Sequence, residues 1–365
     1  MKSPPASQCC KPITHLPVEL PKISVVIPVY NGERYLVKTL DCLLRQTFRD
    51  FEAICINDCS TDNSESVLRR YAQTDPRVRL LKTESNQGIV PKVLKYYALP
   101  NLRGEYYAYS SQDDLFSDDW LEKMWCKAVA TGADAVIPDL VFYHVGDTSK
   151  NRTLAGVQGD RSVVLSNRDA VILSLDWIIP GNALWKTSLV QRLGYEDFGM
   201  FADEYSMRVF FYHCNRVVFS GGTFYYGQDN PDAITKKSSY KSFDSPYNHF
   251  RLYEFLKENT FDFAIYSKEL LKAATGVRQK RQELIFNRAA YTPEESKEAL
   301  NRIQKCYNAI TQSEAALEVL RRQRGLKNSL AGFPLKHGRL IFEATCRFMV
   351  LLRRTKRLAL FLPGR

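Results

Sequence analysis

The stretch Ile23–Ser64, ISVVIPVYNGERYLVKTLDCLLRQTFRDFEAICINDCSTDNS, decides the fold. Residues 22–29, KISVVIPV, are a short β-branched run fit for a strand buried on both faces. Leu36, Leu40, Leu43 and Leu44 then recur at helical spacing. FEAICIND (51–58) is a second strand. Ser60 and Thr61 stand where helix caps belong, ahead of a helix to about Ala72.

The alternation continues outward. VRLLKT (78–83), EYYAYSS (105–111) and DAVIPDLVFYH (134–144) read as further strands. A helix is expected after Gly88, and Ser117 is the expected cap of DDWLEKMWCKAVATG. This pattern predicts an α/β fold, a mostly parallel sheet flanked by helices with right-handed crossovers. Residues 145–245 are less regular, as expected for the substrate side of a cleft. From 249 onward the pattern is helical. The expected divisions are a flexible tail at 1–21, an α/β domain at 22–245, a helical extension at 246–320 and a basic amphipathic tail at 321–365.

Bulk composition narrows the class. The 365 residues suffice for a large core, and 45% hydrophobic with 25% charged residues is ordinary for a soluble globular protein. No apolar run approaches the ~20 residues of a membrane span, and the N-terminus lacks the apolar region of a secretory signal. Nine cysteines without paired CxxC spacing argue against a zinc site and for free thiols in the cytoplasm. The net charge of +11 lies in the tail, where residues 321–365 hold twelve Lys/Arg and one acid, Glu343. Apolar residues, among them Phe333, Leu340, Phe348, Leu351 and Leu362, interleave with those charges. That mixture predicts contact with an anionic membrane surface, and so a peripheral location on the inner face of the cell membrane. No nucleic-acid module accompanies it.

Ligands of open α/β sheets bind beyond the carboxyl ends of strands. There the sequence offers Pro28, Tyr30, Asn31 and Glu33 after the first strand, Asn57, Asp58 and Ser60 after the second, and Asp113 and Asp114 after the fourth. Neither GxGxxG nor GxxxxGK[ST] is present, so no backbone cradle for a dinucleotide or triphosphate is expected. Carboxylates repel phosphate, by about 4 kcal/mol at ~4 Å, unless a cation lies between them. Hard oxygen ligands suit Mg²⁺ or Mn²⁺. Tyr30 is placed to stack on a base, and Asp58 to accept from a base N–H.

These segments closely resemble the family 2 glycosyltransferases, whose hallmarks are P-x-YN after the first strand and [VI]-[DN]-D-x-S-x-D-x-S after the second. SNQGI and GEYYAYSSQDDLF resemble the family's N-x-G and G-x-Y-[IV]-x-x-x-D-x-D-D segments. The resemblance covers about residues 22–240 and is most specific in its first part. It implies a GT-A fold, a nucleotide-sugar donor, a divalent cation, a glycan or lipid-linked acceptor, and inversion at the anomeric carbon. In that reading Pro28 and Tyr30 line the base pocket with Asn31 and Glu33 beside them, and Asp58 reads the base, most simply uracil. Asp113 and Asp114 match the metal and ribose end of the DxD-type motif, and Lys92 or Lys95 approaches the diphosphate. Ser111 stands where the first Asp often lies, which leaves the primary metal ligand open between Asp113 and Asp114.

The same resemblance makes Asp203 or Glu204 the general base, with Asp203 favoured and Arg208 a salt-bridge partner for Glu204. Trp177, Asn182 and Trp185 match its acceptor-side segment, each a sugar contact or a core residue. Gln228 sits where an Arg is frequent, so a diphosphate contact is expected to be missing there. The implied activity is glycosyl transfer in surface-polysaccharide synthesis. One rival is a nucleotidyltransferase, which would carry a Gly/Arg/Lys-rich loop where this chain has PVYNGERYL. The other is a non-catalytic sugar-nucleotide-binding or membrane-associated protein, with Ser111 and Gln228 as marks of a decayed site.

Overall fold

A computed structural model describes residues 20–231, 233, 236, 239–322, 335 and 337–361. β1 (Ile23–Val29), β2 (Phe51–Asn57), β3 (Val78–Lys82) and β4 (Tyr106–Tyr109) lie in the order β3-β2-β1-β4, all parallel. Every residue of β2 is buried, and only Pro28 of β1 is partly exposed, as helices on both faces require. Beyond β4 the sheet continues through β8 (Leu184–Lys186), β6 (Ala135–Tyr143), β9 (Val217–Gly227) and β5 (Leu115–Phe116), with β7 (Arg152–Leu154) on β6. β6 and β9 are parallel, whereas the short strands β5, β7 and β8 all pair antiparallel. The sequence gives these three strands too few residues for a period to be read.

The strands alternate their side chains between two cores. Val25 and Ile27 face one cluster, with Leu36 and Leu40 of α1 (Glu33–Leu44). Val26, Ile54 and Ile56 face the other, with Phe210 and Phe211 of α7 (Ala202–Tyr212). Truncating a fully buried residue such as Ile54 to alanine would cost about 2–5 kcal/mol. The remaining helices of this half are α2 (Ser64–Thr74), α3 (Val90–Val93), α4 (Trp120–Thr131), α5 (Asn167–Leu175) and α6 (Thr187–Leu193).

The described residues from Ser245 on are mostly helical, with α8 (Ser245–Glu258), α9 (Phe263–Phe286), α10 (Pro293–Gln312), α11 (Glu314–Arg322) and α12 (Arg339–Phe361). A third cluster holds them together and includes Phe243, Leu270, Ile303 and Phe342. Thr292 opens α10 with a capping box to Glu295.

Several local expectations are corrected. Ser60 and Thr61 do not cap α2: its N-cap is Asn63, because Ser60 and Thr61 instead bond to Asn31 across the sheet end. Ser117 does not cap α4 either; the N-cap is Asp119, whose carboxylate accepts from the Ser117 hydroxyl at 2.8 Å. The helix after Gly88 is a single turn that widens into a π-turn over Leu94–Ala98. Trp185 is core, tilted against Phe211 with centroids 4.8 Å apart.

Part of the expected surface tail is packed. Phe342, Cys346 and Val350 of α12 are buried, and Glu343 pairs with Arg281 of α9 at 2.8 Å. Leu340, Ile341, Phe348, Leu351 and Leu352 remain exposed on its other side. Residues 1–19, Phe333 and Leu362, and the side chains from 353 on, lie outside the described residues. Among the described residues, no helix is long and apolar enough to cross a membrane, and the seven cysteines are free.

Candidate active site

The strand order reverses beside β1, which has β2 on one side and β4 on the other. The chain segments that leave β1, β2 and β4 therefore meet at one sheet end, where open α/β sheets bind ligands. A cleft of about 830 Å³ opens there. Pro28, Tyr30, Asn31, Glu33, Asp58 and Asp113 all line it, so the structure brings these expected residues together, whereas Lys92, Asp114, Asp203 and Glu204 are not part of its lining.

The loop after β1 is held by side chains from its neighbours. The N–H of Tyr30 donates to Gln112 Oε1 at 2.9 Å, and its carbonyl accepts from Gln112 Nε2 at 3.1 Å. The N–H groups of Asn31, Gly32 and Glu33 donate to Ser60 Oγ, Ser64 Oγ and Asp62 Oδ2 at 3.0, 2.8 and 3.0 Å. A Cβ on Gly32 would lie 2.3 Å from Gln112 Oε1, so the clasp needs glycine there. Asn31 and Glu33 touch the cleft, yet their side chains are engaged by Thr61 and Asn63. The Tyr30 ring, 48% exposed, is left for stacking.

Asp58 is only 6% exposed but reaches the cleft. Its Oδ1 accepts from Thr83 Oγ1 at 2.9 Å and from the Gln87 N–H at 2.8 Å, which fix the carboxylate's direction. Gln87 is followed by Gly88, whose carbonyl accepts from Lys241 Nζ at 2.8 Å. Lys241 is a cleft residue that the sequence reading missed. Burial holds its ammonium below the usual lysine range, and Arg302 adds to that effect while Asp58 opposes it. Lys92 does not line the cleft, and Lys95 is paired with Asp197 at 3.1 Å.

The doublet Asp113-Asp114 divides. Asp113 faces the cleft, where one carboxylate oxygen accepts from Asn230 Nδ2 at 2.6 Å. Asp114 is 1% exposed and accepts from the N–H groups of Ser111 at 2.8 Å and Gly227 at 3.1 Å. Burial, and then the Asp113 charge, push the Asp114 carboxyl up to about 8. Asp114 thus pins the β4 end to the end of β9. Among the described residues no three His, Cys, Asp or Glu side chains converge on a metal position. Mg²⁺ and Mn²⁺ need no such group, since one or two carboxylates with ligand phosphates suffice. Asp113 fits that role.

Asp203 sits in the first turn of α7, and its charge helps raise the hydroxyls of Tyr109 and Tyr226, both cleft residues. Burial, then Glu204, push Asp203 up to about 7, which suits a group that takes up a proton near neutrality. Glu204 is paired with the buried Arg208, which also donates to the Ser174 carbonyl at 2.8 Å. That arrangement occupies Glu204 with a cation.

A doubly wound α/β sheet whose switch point presents carboxylates and an aromatic ring is the architecture of a nucleotide-dependent enzyme. Residues 24–215 match the model of the family described as Glycosyl transferase family 2, and the chain belongs to that family. It is 29% identical over 210 residues to the glycosyltransferase GlyG of Streptococcus pneumoniae serotype 4, covering 56% of this chain and 69% of that protein. It is 35% identical over 103 residues to the putative teichuronic acid biosynthesis glycosyltransferase TuaG of Bacillus subtilis, covering 28% of this chain and 40% of that one. Of several curated relatives the chain thus spans less than half the length. The fold is that of S. aureus TarS 1–349, with a TM-score of 0.61 at 16% identity over 92% of this chain and 91% of that one.

Proposed function

We propose that the chain transfers a sugar from a uridine diphosphate sugar to a glycan or lipid-linked acceptor, with inversion, in the synthesis of an envelope polysaccharide. The observation that carries this reading is the meeting of Asp58, Asp113 and Lys241 in one cleft, with Asp203 beside its Tyr109–Tyr226 wall. In this reading residues 22–245 form the transferase domain and 246–320 a helical extension.

Tyr30 stacks on the base, and Asp58 accepts the N–H of a uracil ring. A Mg²⁺ or Mn²⁺ ion bound at Asp113 supplies positive charge to the diphosphate. Asp203 takes the proton of the acceptor hydroxyl as that oxygen bonds to the anomeric carbon. The bond from that carbon to the diphosphate breaks on the opposite face, and its electron pair leaves with the diphosphate, which gives inversion. Burial around Asp203 keeps its basicity close to neutrality. The exposed stripe of Leu340, Ile341, Phe348, Leu351 and Leu352 beside Arg339 and Arg347 supports a peripheral contact with an anionic membrane.

The test is to incubate the protein with Mn²⁺, a membrane extract as acceptor source and a panel of UDP-sugars, and to measure release of UDP. UDP-GlcNAc belongs in that panel, since TarS has been solved with it. Release with at least one donor is expected; no binding and no release with any nucleotide sugar would overturn the proposal.

A further inference from the structure

We infer that the helical extension is part of the working site: through Arg302 and Asp244 it positions both Lys241 in the donor cleft and Asp203 beside it. The inference rests on the glycosyl-transfer reading for the roles of those two groups.

Asp244 ends the 3-10 turn Tyr240–Asp244, which directly precedes α8. Its buried carboxylate accepts from Arg302 of α10 and, on the same oxygen, from the Met200 N–H at 3.2 Å. Two segments that are far apart in sequence are therefore fixed by one side chain. The first is the turn itself, from which Lys241 reaches the cleft and the Gly88 carbonyl. The second is the loop Gly199–Phe201, which leads straight into the first turn of α7 and Asp203. The two approach so closely that a Cβ on Gly199 would lie 2.6 Å from the Asp244 carboxylate.

The extension grips the rest of the turn as well. Phe243 belongs to the extension's own core. Lys280 of α9 donates to Ser242 Oγ at 3.2 Å and lies 4.9 Å from the Phe243 ring centroid. The Arg302 guanidinium lies 5.4 Å from the Tyr240 ring centroid. Burial alone would push the Asp244 carboxyl up, and Arg302 acts against that shift. Removing Arg302 leaves a buried carboxylate without its cation, so both segments should relax together. An extension that served only to add stability would need no charged junction to these two segments.

The experiment compares wild type with Arg302→Met, Arg302→Lys and Asp244→Asn by steady-state kinetics with a UDP-sugar and by amide hydrogen exchange. Arg302→Met is expected to raise donor KM and lower kcat, each by about tenfold or more, because small misplacements of positioning groups cost that much. Arg302→Lys should recover most of both, and Asp244→Asn, which keeps the side chain's size, serves where Arg302→Met does not fold. Exchange should accelerate together at Gly199–Asp203 and Ser239–Asp244 while β1 and β2 stay protected. A donor KM within about twofold of wild type alongside a lowered Tm would overturn the inference, as would faster exchange in only one of the segments. Wild type without turnover on any nucleotide sugar would instead sink the functional reading, and the exchange result would still judge the coupling.

Discussion

Lowering the pH through neutrality is the sharpest test of Asp203 as the base. Its carboxyl is pushed up to about 7, first by burial and second by Glu204. A base works ionised, so about a tenth is active one unit below that value and about a hundredth two units below. kcat/KM should therefore fall about tenfold at pH 6 and about a hundredfold at pH 5, where an ordinary carboxylate would leave it nearly flat. Glu204→Gln sharpens the assignment. It removes one charge that raises Asp203 and releases Arg208, whose cation lowers it. Both changes move the acid limb to lower pH. Burial is the larger cause, so the limb should stay above the usual carboxylate range. Asp114, pushed up to about 8, titrates nearby, but a limb owed to it would not respond to Glu204. Asp203→Asn should cost about 10²–10⁴ in kcat. The assay is UDP release at subsaturating donor from about pH 5 to 9, with Tm followed at each pH. A flat profile, a limb that Glu204→Gln fails to move, or Asp203→Asn with near wild-type turnover would refute the assignment.

Three further outcomes follow from other parts of the molecule. Asp58→Asn should weaken UDP binding by about 1.5–3 kcal/mol, read by calorimetry, because it removes a charged acceptor. Asp114 holds a proton in the folded protein between its ordinary value and about 8, so the folded state binds more protons there and stability falls as pH rises through that window. Tm of Asp114→Asn should accordingly fall less steeply than wild type between about pH 6 and 8. Replacing Phe348 and Leu351 by Glu should abolish co-sedimentation with phosphatidylglycerol vesicles and spare turnover on a soluble acceptor; equal sedimentation would remove the membrane role of α12.

The parallel half of the sheet was legible because β1 and β2 are predominantly apolar runs with a helical period between them. β5, β7 and β8 were not legible, having two or three residues each and pairing set by distant strands. Asp58 and Asp113 could be placed from strand ends alone, since a parallel sheet brings those ends together. Lys241 could not, because the turn that carries it follows no strand and is located by contacts with α9 and α10. Gln112 lay inside a quoted motif, yet its value as a clasp depends on Tyr30 lying opposite, which only the β1–β4 register decides. Ser60 and Thr61 resemble helix caps in sequence because residues that bond across a sheet end are of the same types as those that bond along a helix start.

The clasped loop also explains why this site presents acids to a ligand that carries negative charge. A helix N-terminus next to a strand end usually offers free N–H groups to a phosphate. Here the N–H groups from Tyr30 to Glu33, which lead into α1, each already donate to a side chain of a neighbouring loop or of the start of α2. These N–H groups are therefore not open to an anion. On the proposed reading, charge compensation comes from elsewhere around the cleft, from a cation at Asp113 and from the basic lining residues Arg34, Lys236 and Lys241. Gln228, lying where a positive side chain was expected, increases that dependence, since its amide is neutral and donates to the nearby carbonyls of Tyr226 and Gly227. Replacing Lys241 by Met should therefore weaken the diphosphate-bearing donor more than the free nucleoside, a difference that calorimetry with UDP and uridine reads directly.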